Sequence, residues 1–191
     1  MRGGRRSGAM GLLEKFARAV DGLNGAVGAF ARWLAALLVL VQFVVVVLRY
    51  IYGSSFVWMQ ESVVYVHATL FMLSIAYVLL IDGHVRVDIY FARWSARTRA
   101  AVDLTGVVFA LLPFCGLMIW ASWPYVASSW RLGEGPMAMG GLPFTPAFKS
   151  LIPAMAALLA LQGLAMAARA ILVLGGRAPT HLPGKTEVEQ A

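Results

Sequence analysis

The side chains able to do chemistry gather in two short clusters. Trp58-Met59-Gln60-Glu61 opens an apolar segment long enough to cross a bilayer, and Asp82-Gly83-His84-Val85-Arg86-Val87-Asp88 closes it. Carboxylates and imidazoles so placed sit where hydrocarbon gives way to headgroups, so they are anchors, a docking surface, or part of a buried site. Between the clusters only His67 lies deep. An imidazole there is either a functional group or a neutral side chain hydrogen-bonded at a helix contact. Enzymatic chemistry needs a wider constellation, and none is present: no Ser-His-Asp set at membrane depth, no HExxH, no phosphate-cradling glycine loop. Bis-histidine haem ligation needs two facing histidines within the spans, and His84 and His181 lie at a boundary and in the tail. The lone Cys115 excludes an internal disulfide, a CxxC pair and a cysteine-rich metal site. The chain is therefore not read as an enzyme, and no catalytic, substrate-binding, metal or cofactor residue is assigned.

The elements that must position these clusters are membrane helices. With 60% hydrophobic and 13% charged residues in 191, the chain is far more apolar than a soluble domain. The expected fold is an all-α integral membrane protein with four transmembrane helices, at about 25–48, 57–81, 102–120 and 151–174, and short amphipathic interfacial segments. Residues 1–9, rich in Gly and Arg, read as a disordered cytoplasmic N-terminus, 10–174 as the membrane domain and 175–191 as a cytoplasmic tail. Leu12, Leu13, Phe16 and Val20 recur at helical spacing opposite Glu14, Lys15 and Arg18, giving either an interfacial helix or an extension of the first span.

The short Gly53-Ser54-Ser55 link, after Arg49-Tyr50, predicts an antiparallel hairpin between the first two spans. In the second, Glu61, Tyr65, Ala68, Met72 and Ala76 share one face, whereas His67 and Ser74 share another. Pro113 and Gly116 predict a kink in the third. The stretch 128–149, rich in Gly and Pro, reads as the longest loop on its side and the best exposed surface for a soluble partner. In the fourth span Ala156, Ala160, Gly163, Ala167 and Ala170 form a stripe of small residues, met either within the chain or by another subunit.

Charge sets the expected orientation. Arg2, Arg5, Arg6, Lys15, Arg18, Arg32, Arg86, Arg93, Arg97, Arg99, Arg169, Arg177 and Lys185 collect on one side, and only Arg49, Arg131 and Lys149 on the other. By the positive-inside rule both termini are cytoplasmic. This distribution accounts for the net charge of +7 without nucleic acid as a partner. The basic and aromatic residues beside the spans are instead suited to membrane lipids.

The order of Arg49-Tyr50, Gly53-Ser54, Trp58-Met59-Gln60-Glu61, the Asp82 to Asp88 run, Glu134, Gly141-Leu142-Pro143 and Ile152-Pro153 resembles the small membrane subunit of tripartite ATP-independent periplasmic (TRAP) transporters, the DctQ-like family. That family often has two acidic residues after the Trp. Here the first is Gln60, leaving Glu61 as the matched position. The resemblance implies a bacterial inner-membrane subunit that scaffolds a large DctM-like membrane subunit and works with a periplasmic DctP-like solute-binding protein. Uptake of an organic acid would be driven by sodium, with the sodium and substrate sites in the large subunit. Arg49, Trp58, Glu61, His84, Asp88, Ala156, Ala160, Gly163 and Ala167 are the expected subunit-interface or membrane-positioning residues. The competing reading is a stand-alone membrane-anchoring or assembly protein without transport.

Overall fold

The computed structural model describes residues 3–83 and 94–176, with side chains from residue 11 onward. Helix α1 runs Gly3–Tyr50 and α2 Val57–Leu80. Helix α3, Ala96–Gly106, passes through a π turn, Val107–Leu111, directly into α4, Leu112–Leu132. Helix α5 is Thr145–Leu174. The described residues contain four helical stretches long and apolar enough to cross a membrane: Gly11–Tyr50, Val57–Leu80, Ala96–Leu132 and Thr145–Leu174.

Several boundaries differ from the sequence expectation, each for a physical reason. Helix begins at Gly3 and continues without a break through Gly22 and Gly25, so the amphipathic stretch is an extension of the first span. Of its recurring apolar residues Val20 makes the contact and Leu12 and Phe16 are exposed; Val20 and the adjacent Ala17 are buried against Ala165, flanked by Leu161. In a membrane the solvent gives no hydrophobic drive between helices, and small residues that permit close approach decide which face packs. The irregularity in the third span falls a turn before Pro113: Leu112 N–H bonds Val107 O, five residues back. A proline lacks the N–H that would continue the α ladder, and a π turn is one way to absorb that loss. The expected loop 128–149 shrinks to 133–144, because α4 continues to Leu132 and α5 starts at Thr145. Pro146 does not delay α5, since first-turn N–H groups have no intrahelical acceptor. Asp82 ends α2 at φ 58°, with Gly83 N–H bonded to Val78 O.

The chain folds as two compact units. Among the described residues one comprises 3–25, 76–83, 94–117 and 157–176, and the other 26–75 and 118–156. In the first unit α1 and α5 meet through Ala17, Val20 and Ala165 and through a polar network one turn further on. Arg169 donates to Asp21 Oδ2 at 2.7 Å, Gln162 donates to Asp21 Oδ1 at 3.1 Å, and Asn24 donates to Gln162 Oε1 at 2.7 Å. Asn24 and Gln162 are almost fully buried. A side chain on Gly163 would collide with Leu111, so this glycine lets the π turn lie close against α5.

Candidate functional site

In the second unit the residues singled out by sequence converge on the link between α4 and α5. The chain leaves α4 through Gly133, whose φ of 56° favours glycine. Gly133 N–H bonds Trp130 O and Glu134 N–H bonds Ser129 O, which satisfies carbonyls of the last turn. That exit places the Glu134 carboxylate to accept from Ser129 Oγ and from Lys149 Nζ, each at 2.5 Å. The Lys149 ammonium also lies 4.0 Å from the centre of the Tyr125 ring. The Lys149 hydrogen bond, then that from Ser129, holds the Glu134 carboxyl below the ordinary carboxylate range.

The start of α5 ties back to the same link. Thr145 Oγ1, buried, donates to Gly135 O at 2.7 Å and lies 3.5 Å from the Tyr65 hydroxyl. The Tyr65 and Phe148 rings are 4.4 Å apart, and Trp130 Nε1–H donates to Ser150 Oγ at 2.9 Å. On the far side of the link, Glu61 reaches from the second turn of α2 and accepts the Leu142 backbone N–H at 2.6 Å. A Cβ at Gly141 would fall inside the Glu61 carboxylate. Glu61 and Gly141, eighty residues apart in sequence, therefore form one contact that requires a carboxylate on one side and no side chain on the other.

The remaining candidates are dispersed. Arg49 is exposed at the end of α1, and Trp58 is half exposed with its ring centre 6.3 Å from that of Phe56. Ala156, Gly163 and Ala167 are buried within this chain, and Ala160 is partly buried. His84 and Asp88 lie outside the described residues. His67 is exposed and Ser74 bonds its own backbone at Leu70 O. Sequence reasoning missed Asp21, Asn24 and Gln162. Their signal was present as polar residues at i, i+3 in α1 opposite polar residues at i, i+7 in α5, inside otherwise apolar faces.

The arrangement positions a loop and offers no reacting group. The two carboxylates of this cluster, Glu61 and Glu134, are each engaged by a donor of the chain itself, and no group of three or more His, Cys, Asp or Glu side chains able to hold a metal is found among the described residues. Over residues 38–173 the sequence matches the tripartite ATP-independent periplasmic transporters, DctQ component.

The chain belongs to the DctQ family.

It is thus a multi-pass membrane component of TRAP transporters, and this family is not enzymatic. Neither a curated protein nor a solved structure matches it. The part matching DctQ contains Glu61, the 133–144 link and the whole cluster around it, whereas Asp21 and Asn24 precede it and only their partners Gln162 and Arg169 fall inside.

Proposed function

We propose that this DctQ protein is the small permease subunit of a TRAP-type secondary transporter in a bacterial inner membrane. It scaffolds a large DctM-like subunit for sodium-driven uptake of an organic acid that a DctP-like periplasmic protein delivers. The family match over most of the chain carries this reading. Further support comes from the engagement of Glu61 and Glu134 with their own loop, which leaves substrate and sodium sites to the large subunit. Arg49, Trp58, His84 and Asp88 serve at the subunit interface or hold the helices at membrane depth. Ala156, Ala160, Gly163 and Ala167 serve the packing of α5. Both termini are cytoplasmic by the distribution of basic residues, and the 133–144 link, with Met137, Met139 and Phe144 exposed, faces the binding protein.

The test is co-expression with a DctM-like large permease, followed by affinity recovery and uptake in proteoliposomes. Recovery of a complex, and sodium-dependent uptake of an organic acid only when the binding protein and both membrane subunits are present, is the expected result. A chain that recovers no permease, or whose omission leaves uptake unchanged, would return the protein to the membrane-anchoring reading.

A further inference from the structure

Helix α2 is partly covered along most of its surface; apart from Trp58 in its first turn, its exposed residues are Val57, Gln60, Val64, His67 and Phe71, and all lie in the second unit. Their spacing of three, four, three and four residues is that of a seam along which one further helix packs. Val64 and Phe71 are 53% and 62% exposed, so the seam is open over its length. His67 lies ten residues from Val57, or about 15 Å along the axis at the α-helical rise, and so within the hydrocarbon of a spanning helix. No hydrogen bond or ion pair of its imidazole is found among the described residues, although two ring nitrogens facing lipid tails are costly.

We propose that this seam is where a single transmembrane helix of the large subunit lies, with a donor and an acceptor opposite the two ring nitrogens of His67. The inference rests on the reading of the chain as the small subunit beside a large one. An apolar stripe by itself is equally suited to lipid, and the imidazole is what calls for protein. A second copy of this chain fits less well. Two copies inserted in the same orientation would set imidazole against imidazole, and one shared proton leaves a nitrogen of each ring without a partner. A different subunit carries no such symmetry constraint.

The experiment uses the co-expressed complex with a benzophenone amino acid placed at Val64 or Phe71, and at Phe109 of the π turn as an exposed control. Irradiation is expected to join the large subunit to positions 64 and 71 and not to 109. His67→Leu is expected to lower recovery of the large subunit ~threefold to ~tenfold, the range for a membrane hydrogen bond, with His67→Asn intermediate. The thermal stability of the isolated chain should not fall in His67→Leu, because the imidazole makes no bond within it. Cross-linking only to lipid or to a second copy, while wild type recovers the large subunit, overturns the seam. Equal recovery by His67→Leu and wild type overturns the role of the imidazole. Wild type recovering no large subunit overturns the functional reading itself, and this inference with it.

Discussion

Glu61 shows how one side chain fixes the shape of a distant segment. Its carboxylate accepts the Leu142 N–H in a partly buried position, and a charge-assisted bond of this kind contributes more than a neutral one. Glu61→Ala is expected to destabilise the protein by about 1.5–3 kcal/mol and to raise protease cleavage within 133–144. Glu61→Gln keeps an acceptor oxygen and should be milder. Gly141→Ala places a methyl group where the carboxylate sits, so it should destabilise wild type, yet cost clearly less in the Glu61→Ala background. Additive costs in that double-mutant cycle, read by thermal unfolding in detergent, would show that the two residues do not act on each other. Glu134 makes a separate prediction in pH. Its pKa is lowered in the folded protein, first by Lys149 and then by Ser129. The unfolded chain therefore binds the proton more readily, and the stabilisation is fully present above the ordinary value of about 4.3 and lost as pH falls through the lowered one. Pepsin cleavage of the 133–144 link should rise on acidification below about pH 4 in wild type. In Glu134→Gln cleavage should already be high and the pH response much flatter.

At the level of elements, the helices were legible because their apolar runs are long, and their ends were not. Continuous helix from Gly3 to Tyr50 follows from contacts of Ala17, Val20, Asp21 and Asn24 with α5, which no local pattern announces. The π turn is likewise a negotiation between Pro113 and Gly163, fifty residues away. The Gly141-Leu142-Pro143 turn was legible as a turn, and Glu61 as a boundary residue, but their pairing appears only once α2 and the link are brought together. The α1–α5 network gives the prediction at this scale. Asp21 and Arg169 are 20% and 15% exposed, so removing one leaves the other charge poorly hydrated. Asp21→Leu should cost about 3 kcal/mol, whereas Asp21→Leu with Arg169→Met should recover much of that loss, since an apolar pair needs no desolvation. Unfolding in detergent measures both. A double variant no more stable than the single one would mean that the Gln162 bond to Asp21, and not the ion pair, is what holds the two helices.

For the molecule as a whole, the proposed orientation rests on the distribution of charge, and pairing sharpens the argument. Lys149 on the less basic side is engaged by Glu134, which leaves Arg49 and Arg131 as the other cations of that side in the sequence. Arg169 on the more basic side is engaged by Asp21, but many basic residues remain there. The asymmetry of Lys and Arg thus survives the removal of paired charges from both sides, and Lys and Arg close to span ends are what set topology. Accessibility makes this measurable. In a Cys115→Ala background, Met139→Cys, at a position 97% exposed, should react with an impermeant maleimide in intact cells, as should Ser55→Cys in the exposed α1–α2 turn. Thr98→Cys, at the exposed start of α3, should react only after the membrane is opened. The reverse pattern would place the 133–144 link in the cytoplasm, where a periplasmic binding protein cannot reach it. Labelling of all three positions from outside would be incompatible with Ala96–Leu132 crossing the membrane, because Thr98 lies in its first turn and Met139 follows its last residue.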